Sequence, residues 1–488
     1  MGARNPLRGI GRLTAGWVFA AALAGTAFAV SKPSTSGYAR LLHGPMLGAV
    51  TPASISIWVR LSGPDEVQVE YAPAATPKSA ATRRTPPQRA RKEDDYTVVV
   101  TVRDLAPGTS YRYRALVAGA PDLNQAPAGF FEARTAPAPG APGQFSVAFG
   151  SCARVERHPV QPIWTALHAR RPDLMLWLGD NVYADTLDPE IMAECYQRQR
   201  AVPELQPFLR TTPQLAIWDD HDYGLNDSDG SHPGKVEALG VFRRYWANPA
   251  YGLPEAPGVF CAFHYGGVDF FMVDNRYHRA PAASPDVLGK STLGTAQKDW
   301  LKAGLRASRA PFKIVASGQP WNNQKGPGGE SWEAFAHERA ELLAFIRAEG
   351  ISGVVLLSGD NHIGELNCLP ESERGGYDLF EVSSSPLAQD PSVSWLNYRT
   401  IPRIRQVYFG GPNFGLLDFD LSATDPTLTV TLHDASGNSV WSALVLRASE
   451  LRNGVSVWRE KMDGTSRRRW DRALAGEAYY DAPRGPAP

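Results

Sequence analysis

Four times in this chain an apolar strand runs out into a loop built from Gly, Ser and Asp, and that repeated plan limits the fold more than any other feature. Phe145-Ser-Val-Ala-Phe149 leads into Gly150-Ser151-Cys152, and Leu174 to Leu178 leads into Gly179, Asp180, Tyr183 and Asp185. Leu215-Ala-Ile-Trp218 leads into Asp219-Asp220-His221-Asp222, and Val354 to Leu357 leads into Ser358-Gly359-Asp360-Asn361-His362. In an α/β protein, ligands collect beyond the carboxyl ends of the strands, where loops hold polar groups on a rigid base. One strand followed by a Gly-Asp turn is usually only a turn. Four of them imply convergence, and Asp180, Asp219, Asp220 and Asp360 brought together would repel by about 4 kcal/mol per pair at 4 Å and an effective dielectric of 20. A bound cation removes that objection.

Between these strands the apolar spacing is helical over Pro159 to Arg170, Pro189 to Arg200, Val236 to Trp246, Thr295 to Ala307 and Trp332 to Ala348. Further strands are predicted at Val259 to Phe263, Val268 to Asp274 and Phe312 to Ser317, and strands dominate again from Tyr377 to Leu446. Strands alternating with helices give an α/β class with a paired-sheet core and helices outside. Lys plus Arg and Asp plus Glu number 50 each, so no charge bias points to nucleic acid.

Residues 38–135 read as all-β, with Ile55, Ile57 and Val59, then Val67, Val69 and Tyr71, then Val98, Val100 and Val102 alternating with polar positions. Asp104 to Tyr113 looks like the tyrosine-corner region of a fibronectin or immunoglobulin-like sandwich, and Lys78 to Asp95 reads as a basic surface loop. Nothing in this region suggests catalysis, and a packing or substrate-framing module is the better reading. Residues 136–143 form a Pro/Gly linker that marks a domain boundary, followed by a domain over 144–446 and a charged extension over 447–488, read as a helix plus a loose tail. At the start, Arg4, Arg8 and Arg12 precede an apolar stretch to Phe28, which resembles a signal peptide of residues 1–29 cleaved before Val30. Export to the periplasm or the outside follows, with no later run long enough to span a membrane. Cys152, Cys195, Cys261 and Cys368 are too few for a disulfide scaffold; with Cys152 as a ligand, the other three allow at most one bridge.

A dinuclear hydrolytic site needs a carboxylate that bridges two ions, terminal ligands for each, and a group that protonates the leaving oxygen. Asp180, Asp220, Asp360 and His362 can supply the ligands and His221 the proton. The residues taken singly keep other readings: Cys152 as a buried thiol, Tyr183 as packing, His221 as a ligand or a loop residue, Asp185 and Asp222 as helix caps. In chain order, Gly150-Ser-Cys152, Leu178-Gly-Asp-Asn-Val-Tyr-Ala-Asp185, Trp218-Asp-Asp-His-Asp-Tyr-Gly224 and Ser358-Gly-Asp-Asn-His362 resemble the alkaline phosphatase D (PhoD-like) family of the calcineurin-like superfamily. Val273-Asp-Asn-Arg276, Leu293 to Gln297 with Trp300-Leu301, and Val315 to Trp321 support it, and the likeness covers about Phe145 to Leu421.

The resemblance implies a calcineurin-like core of two packed β-sheets flanked by helices, preceded by the all-β sandwich. It implies ferric iron held by Cys152, Asp180, Tyr183 and His362, and calcium that shares Asp180 and takes Asp220 and Asp360. Thiolate, phenolate and carboxylate suit a trivalent ion, and carboxylate oxygens suit calcium. His221 is then the acid, and Asp219, Asn226 and Asp227 stand behind the ligands or serve further calcium. The implied activity is hydrolysis of phosphomonoesters, phosphodiesters or both. Rival readings are a phosphodiesterase for phospholipid or phosphate-polymer substrates, and a non-catalytic cell-surface binding protein with a phosphatase-like core.

Overall fold

A computed structural model describes residues 39–122, 129–141, 143–322, 329–394, 396 and 402–478. The expected signal segment 1–29 and its cleavage point lie outside the described residues. Among those described, no helix is long and apolar enough to cross a membrane.

Two six-stranded sheets form the core. The first runs in the order Gln214–Ile217, Leu174–Leu178, Gln144–Gly150, Asn413–Asp420, Thr427–Asp434, Leu444–Arg447. Its first three strands are parallel and the rest antiparallel. The second runs Cys261–Tyr265, Val268–Met272, Lys313–Ala316, Val354–Ser358, Asp378–Ser383, Glu365–Pro370, parallel through its middle and antiparallel at both edges. Leu174–Leu178 has five apolar residues in a row, all buried, because it lies between two parallel neighbours with both faces covered. The sheets meet through Phe419 of the first, whose ring lies 6.3 Å from Phe270 of the second and 5.8 Å from Phe312, just before the strand Lys313–Ala316. On the outside, helices Pro189–Arg200 and Thr295–Ala307 have the bounds predicted from spacing, while the first helix starts later, at Ile163. Trp164 of that helix packs 4.8 Å from Trp177, and each fully buried side chain of this kind is worth about 1.5–3 kcal/mol or more.

The N-terminal region pairs Leu41–Thr51, Ser54–Leu61 and Thr97–Val102 in one sheet, and sets Glu66–Pro73 against Ser110–Val117 in a second. The Tyr111 hydroxyl accepts from the Ala106 backbone N–H at 2.9 Å, which is the expected tyrosine corner. Ile55, Ile57 and Val59 are buried as the alternation requires, yet Trp58 on the opposite face is buried too. The reason is docking: Trp58 Nε1 donates to the Arg244 carbonyl at 2.6 Å, and Tyr113 OH donates to the Arg210 carbonyl at 2.8 Å. The segment read as a surface loop, Lys78 to Asp95, instead adds short edge pairings at Arg83–Arg84 and Gln88–Arg89. It ends with Asp95 in the junction, accepting from Arg60 at 2.8 and 2.9 Å and from Gln197 at 3.0 Å. In the C-terminal extension, helix Gly464–Leu474 packs Trp470 and Ala473 on Ile363, Leu396 and Val407. All four cysteines are buried and free, so Cys195, Cys261 and Cys368 form no bridge.

Candidate metal centre

The carboxyl ends of Gln144–Gly150, Leu174–Leu178, Gln214–Ile217 and Val354–Ser358 come together, and glycines make the approach possible. A Cβ on Gly179, whose φ is +96°, would lie 2.6 Å from Asp219 Cβ, and one on Gly359 would lie 2.7 Å from both the Leu178 carbonyl and Ser151 Cβ. The chain tightens further through Cys152 N–H donating to the Gly179 carbonyl and Ala153 N–H to the Asp180 carbonyl. Six of the eleven described non-glycine residues with positive φ sit here: Cys152, Asp180, Asp185, Asp227, Asp360 and His362. Such backbone costs about 1–3 kcal/mol per residue and persists where the surroundings over-determine it, typically at functional sites.

One group gathers Cys152, Asp180 and His362, with ligand atoms all within 4.8 Å of one another. Cys152 Sγ is 3.4 Å from Asp180 Oδ2, and the Tyr183 hydroxyl is 3.3 Å from the same oxygen and 3.1 Å from His362 Nε2. Tyr183 therefore stands with the three. A second group gathers Asp180, Asp220 and His221 within the same distance. Asp180 belongs to both. Asp360 falls outside both groups; its backbone N–H donates to Ser151 Oγ at 3.2 Å, and its charge reaches Cys152 and Asp219.

Burial and mutual repulsion act on every acid here. Burial, then the carboxylates of Asp220, Asp219 and Asp222 against the opposing pull of His221, push Asp180 well above the usual carboxylate range. Burial pushes Cys152 and Tyr183 up as well, reinforced by Asp180. Asp219 rises to about 8, chiefly from burial, although the Arg276 guanidinium opposes it. Burial alone would lower His221, but Asp180, Asp185 and Asp220 outweigh it and carry it to about 10. Burial and crowded negative charge act together in these shifts, and a cation in either group would offset the part that charge contributes.

The supporting residues were only partly legible. His221 Nδ1 lies 2.6 Å from Asp185 Oδ1, a pairing across 36 residues. The helix after this loop is capped instead by Asp188, which accepts from Glu190 and Ile191 N–H, so Asp185 is no cap. Asp222 does serve a capping box, accepting from Asp219 N–H at 2.7 Å, and also takes Asn181 N–H at 3.1 Å. Asp219 is ion-paired with Arg276 Nε through one oxygen, and its Oδ2 is buried without a hydrogen-bond partner. Arg276, fully buried, also lies 3.3 Å from Asp220 Oδ1 and 2.8 Å from Glu330 Oε2, and donates to the Ser228 carbonyl at 3.1 Å. Asp227 N–H donates to Asp220 Oδ2 at 2.8 Å. Nothing places Asn226 in either group. Ser385 Oγ, which accepts from His362 N–H at 3.0 Å, had no signal in the sequence beyond its place after a strand.

Two packed sheets flanked by helices, with Cys152, Asp180, Tyr183 and His362 brought together at the strand ends, make up a calcineurin-like fold. Among solved structures, that of PhoD matches with a TM-score of 0.67 at 18% identity, covering 91% of this chain and 100% of that one. A purple acid phosphatase, PPD1 from yellow lupin (Lupinus luteus) seeds, matches at 0.58 with 14% identity over 83% of this chain and 74% of its own. The chain belongs to the PhoD-like phosphatase family, whose profile matches residues 147–394, with the family's N-terminal domain matching 26–137. Alkaline phosphatase D of Bacillus subtilis (strain 168) is 25% identical over 391 residues, 68% of this chain. The chain spans 65% of that relative's length.

Proposed function

We propose that the protein is an exported, metal-dependent phosphoesterase that hydrolyses phosphomonoesters, phosphodiesters or both. The observation that carries this is Asp180, one carboxylate held in common by two groups of ligand-type side chains. The residues present fit a pair of cations, since the ligand atoms of each group lie within 4.8 Å of one another and Asp219 Oδ2 beside them is buried without a partner. Cys152, Asp180, Tyr183 and His362 would hold ferric iron, and Asp180, Asp220 and Asp360 would hold calcium, with Asp360 supplied from the same strand end as His362. Two such ions supply charge to the phosphoryl oxygens and acidify the attacking water, for a reaction that needs acceleration by up to about 10²¹-fold.

The remaining chemistry belongs to the chain. His221 donates the proton to the leaving oxygen: Asp185 fixes its Nδ1, which leaves Nε2 to face the substrate, and surrounding carboxylates favour the charged ring. Membership of the group with Asp180 and Asp220 favours a second reading, in which His221 is itself a ligand oriented by Asp185. The described part of the N-terminal sandwich docks on the Arg210 and Arg244 carbonyls, and helix Gly464–Leu474 packs on Ile363, next in the chain to His362.

The test is hydrolysis of a nitrophenyl phosphate monoester and a bis(nitrophenyl) diester by natively purified protein, with metal analysis and chelator controls. Turnover that vanishes on metal removal and returns on reconstitution supports the reading. Protein with neither bound metal nor hydrolysis is a binding protein with a phosphatase-like core. Hydrolysis confined to phospholipid or phosphate-polymer diesters narrows the substrate instead.

A further inference from the structure

The cations around the pocket are almost all committed to carboxylates. Arg276 pairs with Asp219, Asp220 and Glu330, Arg279 with Glu330, and His221 with Asp185. Arg157 and His158, a few residues further along the chain, both pair with Asp390. Arg154 is different. Its backbone is fixed, with its N–H donating to the Ala388 carbonyl at 2.9 Å, yet its guanidinium makes no hydrogen bond or ion pair among the described residues. The guanidinium carbon instead lies 4.9 Å from the centre of the Tyr183 ring. That ring reaches the first group through its hydroxyl, and its centre is 4.2 Å from the His221 ring. A permanently charged, half-buried group beside a pocket full of carboxylates, and bonded to none of them, is held for an anion that arrives from outside.

We propose that Arg154 is the phosphate-binding residue of the site: its guanidinium donates to non-bridging oxygens of a substrate phosphoryl group held beside the Tyr183 ring. The proposal rests on the phosphoesterase reading. It also bears on substrate class. A monoester presents one more charged oxygen than a diester, so a planar donor fork on the phosphoryl group favours monoesters. Stacking on the tyrosine ring orients the fork without neutralising it.

Inorganic phosphate is the probe, titrated calorimetrically into the metal-loaded protein. Arg154→Gln is expected to weaken phosphate binding by roughly tenfold to hundredfold, the range for a hydrogen bond to a charged group. It should raise KM for a phenyl monoester more than for the diester, with metal content and visible spectrum unchanged, and Arg154→Lys should recover part of the affinity. Phosphate binding by Arg154→Gln as tight as by wild type overturns the proposal, as does weakening that comes only with loss of metal. Wild-type protein that carries metal but neither binds phosphate nor hydrolyses esters removes the phosphoesterase reading itself, a result distinct from an indifferent Arg154.

Discussion

The two halves of the pocket share Asp180 and differ in nearly everything else. The Cys152, Tyr183 and His362 half takes its donors from three strand ends and mixes sulfur, phenol and imidazole. Among the described residues, no arginine is ion-paired with Asp180. The Asp220 half is oxygen-rich, and its carboxylate is already within 3.3 Å of the buried Arg276. The difference teaches that one half is built around mixed donors without an arginine, whereas the other is held in shape by a fixed positive charge. On the proposed reading, a set with anionic thiolate, phenolate and carboxylate donors suits a trivalent ion, and a carboxylate set pre-shaped by arginine suits a divalent one.

The largest effect that sharpens the contrast falls on His221. His221→Ala should lose about 10²–10⁴-fold on alkyl phosphate esters and far less on nitrophenyl esters, whose leaving group departs without a proton, while metal content stays whole. Equal losses on both substrates with one ion missing would make His221 part of the second half's ligand set.

Tyr183→Phe tests the first half. With ferric iron there, the wild-type protein is coloured by phenolate-to-iron charge transfer, and the variant should lose that band while circular dichroism stays native. A colourless, fully active wild type that carries only divalent ions breaks the distinction between the halves.

Arg276→Met addresses the second half. Removing the counter-charge of Asp219 and Glu330 should cost stability by about 3–5 kcal/mol, seen in thermal unfolding. It should weaken divalent binding by about 10–100-fold with the colour of the first half retained. Paired with Asp219→Asn and Glu330→Gln, the same substitution should recover stability without recovering divalent affinity. Recovery of both would make Arg276 a structural counter-ion only.

How much of this was legible depends on sequence separation. The four strand-loop units announce themselves because apolar runs and Gly-Asp turns are local, and the residues they carry do converge. Trp58 broke its strand's alternation because its outer face docks on Arg244, which no local pattern encodes. Asp185 looked like a cap because a helix follows it, but Asp188 is closer to the helix start and takes that role, which frees Asp185 for His221. The Arg276 hub joins side chains from Asp219 to Glu330, and its members are ordinary charged residues until the fold buries them together. Positive φ at Cys152, Asp360 and His362 likewise arises from the crossing of loops and has no signature in residue type.

The smallest effect belongs outside the pocket. Asp95→Ala removes the partner of Arg60 and Gln197 at the junction of the N-terminal sandwich, and should lower stability by about 1–3 kcal/mol with turnover per metal-loaded molecule unchanged. A change in KM instead would mean that the sandwich shapes the substrate groove.

The shared carboxylate is tested most directly by counting metals in Asp180→Asn. A neutral amide cannot serve two cations as a carboxylate does, so natively purified variant should carry neither ion in stoichiometric amount and retain almost no activity, with its fold intact by circular dichroism. A variant that keeps both ions and wild-type turnover would contradict the account.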